Sequence, residues 1–285
     1  MFGALLSFST MAVSARNVSA ELDTFQLMFF RSAIMLTMVV GIALCTPGGL
    51  GQFKTSNLKG HLARNCAHFV GQFGWFFGVA AIPLAQVVAI EFTTPLWIGV
   101  FAPFLLAERM TWLRGLVLVA GFSGVLIVVR PWEVEVQAGS VAVMIAAVGF
   151  ALSMIATKRL TRSDSILCIL FYMGLIQAPM GLLPALGGWV VPSTEVWAWM
   201  VLISFCGLTA HFCLAKALSS ADALVVAPMD YLRLPAFAAV GYFFFSETVG
   251  FEVVLGGMVI LTSNWLNTWL ESRRARRARA AAARA

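Results

Sequence analysis

Long apolar stretches separated by short polar breaks run through the whole chain. They divide it into ten segments, at about 1–15, 25–45, 64–82, 86–106, 112–130, 139–157, 166–186, 197–216, 223–245 and 251–270. An α-helix needs roughly 20 apolar residues to cross the hydrocarbon core of a bilayer, and most of these segments are close to that length. The pattern predicts an all-α membrane protein of ten transmembrane helices, with little left over for an aqueous domain. The first segment is the shortest and would rise only about 22 Å at 1.5 Å per residue, which anticipates further residues upstream of Met1. Val18-Ser19-Ala20 imitates a cleavage site, but no basic region precedes the apolar run, so an uncleaved first helix is expected.

The pattern also repeats. Sliding the stretch from Ile82 to Arg109 forward by 139 residues lays Val87 on Val226, Glu91 on Asp230, Phe92 on Tyr231, Phe104 on Phe243 and Glu108 on Glu247. Apolar sequences match one another freely, so the weight falls on the rare acids that coincide at both ends. Two copies of five spans predict a first repeat over 1–135, a second over 136–271 and an Arg/Ala-rich tail over 272–285. Five is odd, so the second copy must lie inverted relative to the first. Inverted repeats of this kind bind substrate between the halves, near the bilayer midplane.

Composition supports the membrane assignment: 60% of residues are hydrophobic and only 11% charged, against about 25% charged in a soluble domain. Mean hydropathy is +0.90. With both termini inside, the cytoplasmic side receives Lys54, Lys59, Arg64, Arg109, Arg114, Lys158, Arg159, Arg162, Lys216 and the tail arginines, while the opposite side receives Arg16 and Arg130. That asymmetry predicts a multi-pass protein of a bacterial inner membrane with both termini cytoplasmic. The tail arginines, Arg273 to Arg284, read as a topology anchor against anionic lipid. The pI near 9.4 follows from the cytoplasmic loops and this tail, so nucleic-acid binding is not implied.

Away from the span ends, four charged residues fall within the predicted spans: Arg31, Glu91, Asp230 and Arg233. A charge in the hydrocarbon costs about 2.5–3.5 kcal/mol on insertion scales, so these side chains should face a cavity or one another. For the arginines, binding of a substrate carboxylate or phosphate stands beside a structural ion pair or snorkelling. Asp230 and Arg233 are three residues apart, which allows a local pair. Glu91 is a candidate for proton coupling, because burial raises a carboxyl pKa toward the physiological range; the alternative is a helix-end carboxylate held by Thr93 or Thr94. Glu108 and Glu247, at span ends, read as support for fold and topology.

Trp75, Trp97, Tyr172 and Tyr231, with Phe73 and Phe76, offer stacking surfaces for a ring-bearing substrate or an organic cation, although aromatics in such helices also face lipid. The 139-residue offset sets Gln72 opposite His211, as a polar cavity pair or a helix-packing contact. The candidate substrate-binding set is therefore Arg31, Gln72, Trp75, Glu91, Trp97, Tyr172, His211, Asp230, Tyr231 and Arg233. No cluster has metal-ligand spacing, no cofactor or ATP motif is present, and the five cysteines read as reduced packing residues.

Several motifs bear a family likeness: Phe29-Phe30-Arg31, Pro95 after Glu91, Leu106-Ala107-Glu108-Arg109, the glycines Gly115, Gly121 and Gly124, and Phe244-Phe245-Ser246-Glu247. Through these the chain resembles the drug/metabolite transporter superfamily, specifically its ten-helix EamA-type branch, over nearly its full length. It departs at Ala107 and Ser246, where members often carry glycine, and at Met173, which stands opposite Arg31 under a 142-residue offset. The resemblance implies a secondary transporter, monomeric or homodimeric, that moves a small organic metabolite such as an amino acid, vitamin, nucleoside-type compound or drug-like cation, with or without protons. A riboflavin-type or adenosylmethionine-type role fits the aromatics and paired charges. The alternatives are a non-transporting membrane receptor or assembly factor, or a membrane-embedded enzyme, for which no HExxH, GxSxG or acidic metal cluster is present.

Overall fold

A computed structural model describes residues 2–105, 112–130, 132, 135–220 and 233–282. Every regular element among them is helical: α1 Phe2–Val18, α2 Thr24–Leu44, α3 Leu58–Ala81, α4 Leu84–Glu91, α5 Thr94–Leu105, α6 Trp112–Val129, α7 Ala138–Leu160, α8 Ile166–Ala185, α9 Thr194–Ser220, α10 Arg233–Phe245 and α11 Phe251–Ala282, with short 3-10 turns at Gly49–Phe53 and Leu186–Gly188. Polar side chains fix several starts. Asp23 accepts from the N–H groups of Phe25 and Gln26 at the head of α2, Asn57 from Gly60 at the head of α3, and Ser165 from Cys168 at the head of α8.

Among the described residues, five stretches are long and apolar enough to cross a bilayer: Thr24–Leu44, Leu84–Phe101, Ala138–Leu160, Ile166–Gly188 and Thr194–Ala217. Gly115–Val129, Ala236–Phe245 and Phe251–Ser263 are apolar but shorter. α3 has the length, and its hydropathy is lowered by His61, Arg64, Asn65, His68 and Gln72, all of which are buried. Large apolar side chains such as Leu183, Phe205 and Phe243 face outward instead, the reverse of a water-soluble bundle.

The predicted fourth span, 86–106, is two helices. Pro95 has no N–H to offer the Glu91 carbonyl, and the chain turns at Phe92 and Thr93 between α4 and α5. The Thr94 hydroxyl bonds the Glu91 carbonyl at 2.7 Å and the Thr93 hydroxyl bonds that of Ile90 at 2.7 Å, so the break leaves neither oxygen unpaired. At the other end of the chain, α11 continues through the predicted tail to Ala282, as an alanine-rich sequence of high helix propensity allows.

Helices pair across the chain: α1 lies along α9, α2 along α8, α3 along α7, α4 along α10 and α6 along α11. The α3–α7 contact is the most extensive among the described residues. A methyl group on Gly74 would overlap the Ala142 carbonyl and one on Gly78 would overlap the Val143 side chain, so glycine is what permits the approach.

Candidate functional site

A cavity opens between α1, α3, α4, α5, α7, α8, α9 and α10, at the level of the α4–α5 break. Glu91, the last residue of α4, points into it. Its carboxylate accepts from Trp75 Nε1 at 2.8 Å and from Arg233 Nη2, the first residue of α10, at 2.6 Å. Arg233 is 3% exposed and its guanidinium also lies over the rings of Phe8, Phe237 and Phe92, at 4.6, 5.6 and 6.0 Å. Glu91 thus bonds through its carboxylate across the chain, while the neighbouring threonine hydroxyls serve the backbone.

Arg64, near the start of α3, supplies a second charge to the cavity wall and is 4% exposed. It donates to Thr157 Oγ1 at 3.2 Å and to Asn65 Oδ1 at 2.8 Å. Asn65 Oδ1 also accepts from Gln177 Nε2 at 3.0 Å, and that nitrogen lies 3.0 Å from His68 Nδ1. With its amide oriented to satisfy both neighbours, Gln72 donates to Gln177 Oε1 at 2.5 Å and accepts from the Arg31 guanidinium. One continuous polar chain therefore runs from Thr157 to Arg31. Among the described residues it contains two arginines and no carboxylate.

Of the ten candidates, Gln72, Trp75, Glu91, His211 and Arg233 line the cavity. Gln72 and His211 do not bond each other: Gln72 joins Arg31 and Gln177, whereas His211 meets His68 and Phe8 edge-on at 5.0 and 6.1 Å. Arg31 sits behind the wall at 1% exposure, in space that a Cβ on Gly207 would take. Trp97 packs on Phe101 and Phe122, and Tyr172 on His61 and Phe171, both away from the cavity lining. Asp230 and Tyr231, and with them the Asp230–Arg233 pair, lie outside the described residues, as does Glu108.

Sequence reasoning missed two arginines. Arg64 reads as a cytoplasmic topology charge, yet it is buried on the cavity wall; its spacing with Asn65, His68 and Gln72 on one helix was the available signal. Arg16 reads as a loop charge, yet it bonds the last carbonyls of α3, Val79 at 2.8 Å and Ile82 at 2.7 Å, and pairs with Glu247. Glu247 in turn accepts the first N–H of α4, that of Leu84, at 2.9 Å. A cation thus covers a helix C-terminus and an anion a helix N-terminus, each favoured by the local dipole. Ser246 holds φ 53°, a left-handed conformation that glycine adopts with less strain, and so turns Glu247 back toward α4.

The sequence profile described as the EamA-like transporter family matches residues 1–130 and again 137–269. The chain is 29% identical over 257 residues to an S-adenosylmethionine uptake transporter of Rickettsia prowazekii, covering 90% of this chain and 87% of the relative. It is 29% identical over 230 residues to a riboflavin transporter of Rhizobium johnstonii, covering 80% and 76%, and 26% identical over 269 residues to a pseudopaline exporter of Pseudomonas aeruginosa, covering 91% of each. A solved crystal structure superposes with a TM-score of 0.67 at 18% identity, covering 95% of this chain and 96% of the other, a likeness of fold.

Proposed function

This chain belongs to the EamA-like transporter family and is a multi-pass membrane transporter of a small molecule, not an enzyme; on that premise we propose that it is a secondary carrier of a ring-bearing metabolite with charges of both signs, of the adenosylmethionine class. The observation that carries the reading is the split of charge in the cavity: the Glu91 carboxylate, backed by Arg233, faces one part, and the Arg64 guanidinium faces another. An anion and an unneutralised cation set apart in a low-dielectric cavity suit a substrate that carries both signs. Trp75, Phe76 and Phe92 supply apolar and aromatic surface between them. Riboflavin has the ring and no charged pair, so it uses the aromatics and leaves Arg64 without a partner.

In this reading the two segments matched by the family profile are inverted five-helix repeats, one over 1–135 and the other over 136–271. The packing supports it. Exchanging α1 with α7, α2 with α8, α3 with α9, α4 with α10 and α6 with α11 maps the set of helix pairs onto itself, as a pseudo-two-fold axis requires. The Lys/Arg distribution sets both termini in the cytoplasm of a bacterium and the Arg16–Glu247 end at the outer face of its inner membrane. The structure then represents an inward-facing state. Rocking of the halves opens the outer end and closes the inner one. The Glu91–Arg233 pair is the element on which substrate, or a proton on Glu91, competes for charge. Asp230 and Tyr231 are proposed to bind substrate as well, with Arg31 orienting Gln72.

Uptake into proteoliposomes tests the reading. Labelled S-adenosylmethionine is expected to enter, and Glu91→Gln is expected to lower the rate by at least about tenfold. Uptake of riboflavin alone, unchanged in Glu91→Gln, would move the substrate to the neutral class.

A further inference from the structure

A second cluster lies beside the mouth of the cavity, where no role in the transport reading draws on it. His61, in the first turn of α3, is fully buried, and neither ring nitrogen has a hydrogen-bond partner. Its Nε2 stands 3.6 Å from Oδ2 of Asp164, whose side chain is 3% exposed. Cys168, buried in the first turn of α8, places its Sγ 3.9 Å from the other carboxylate oxygen. One ligand atom from each of the three residues lies within 4.8 Å of the others. A buried imidazole whose Nδ1 has no partner and whose Nε2 meets only a carboxylate, at 3.6 Å and beyond hydrogen-bond length, is left short of the bonds that burial normally requires.

We propose that His61, Asp164 and Cys168 form a binding site for a zinc-like divalent ion. The donor set is one imidazole nitrogen, one carboxylate oxygen and one sulfur, the types that zinc takes at about 2.0–2.3 Å. In a tetrahedron such bonds set ligand atoms about 3.3–3.8 Å apart, closer than the 4.8 Å within which the three lie, so side-chain shifts of about 1 Å complete the site. Charge also balances, because a carboxylate and a thiolate neutralise a dication. Binding releases the Cys168 thiol proton to solvent, breaks no other bond and changes no oxidation state. A water supplies the fourth ligand, and the Ser163 hydroxyl, which donates to Asp164 Oδ2 at 2.8 Å, steadies the carboxylate.

The spacing hid this site, since His61 is separated from Asp164 by a hundred residues and Asp164 from Cys168 by one helical turn about the start of α8. The ion would staple the start of α3, in the first profile match, to the start of α8, in the second. Arg64 and Leu170, close to the staple in sequence, line the cavity. Zinc is therefore expected to hold the mouth in one geometry and slow uptake.

Purified, metal-stripped full-length protein titrated with zinc against a chromophoric chelator tests the proposal. One zinc per chain is expected, with affinity lowered at least about tenfold in His61→Ala and in Cys168→Ser and unchanged in Cys66→Ser. Cobalt in place of zinc should give a thiolate-to-metal charge-transfer band that Cys168→Ser abolishes while the helical far-ultraviolet spectrum persists. That band reads the site in a folded variant even where His61→Ala fails to fold. No stoichiometric zinc, or binding and cobalt spectra unaltered in Cys168→Ser, would overturn the site. Neither outcome depends on which substrate is carried.

Discussion

At the end of the bundle where α1 and α3 finish, charge serves the helix termini. Arg16 and Glu247 pair with each other and cap α3 and α4, so each ion has its partners within the protein. At the middle and opposite end, charge faces a cavity. Glu91 and Arg233 are paired, but Arg64 and the polar chain behind it hold no carboxylate among the described residues. The difference separates two uses of an expensive charge in a membrane. Where both helix dipoles and both ions are satisfied the charge supports the fold, and where a cation is held by neutral hydrogen bonds the structure keeps an attraction for an anion from outside.

The comparison breaks most severely at Glu91. Glu91→Ala strips the carboxylate from the buried Arg233 guanidinium, and breaking a buried pair costs about 3–5 kcal/mol, so the largest fall in melting temperature of any single cavity substitution is expected. Arg16→Ala tests the capped end. It removes a partly exposed ion pair and two charge-assisted bonds, worth roughly 1–3 kcal/mol together, and about tenfold in the balance of closed and open forms for each 1.4 kcal/mol. Labelling of an Ala85→Cys probe by a water-soluble maleimide should rise about tenfold in that background; an unchanged rate would mean the pair does not hold the end shut. Ser246→Gly is the smallest and has the opposite sign. Relieving a left-handed serine should stabilise the protein by about 1 kcal/mol, seen as a modest rise in melting temperature.

Much of this plan is legible in the sequence. The apolar runs mark the helices because the bilayer demands length and hydropathy, and Glu91 and Arg233 stand out because charge is rare there. Other features are written in three dimensions only. Pro95 lies in an apolar run that reads as one span, and its effect on Glu91 depends on which hydroxyl takes the freed carbonyl. Arg64 sits close enough to the polar end of its helix to pass for a topology charge. Arg16 and Glu247 are 231 residues apart, and His61 and Asp164 are 103 apart, so no local pattern could join them. Trp97 and Tyr172 are aromatic in suitable segments, yet side-chain direction turns them onto neighbouring rings and off the cavity wall.

The central claim is that the separated charges of the cavity bind the substrate. Thermal stabilisation of the purified protein by S-adenosylmethionine, riboflavin and a panel of amino acids and organic cations tests it most directly, with Glu91→Gln and Arg64→Ala in parallel. A ligand at a hundred times its dissociation constant stabilises by about 2.7 kcal/mol, well within detection. The account predicts that a ring-bearing ligand with charges of both signs raises the melting temperature of the parent protein and of neither variant. Equal stabilisation of all three proteins would contradict it and leave Glu91 and Arg64 as structural charges.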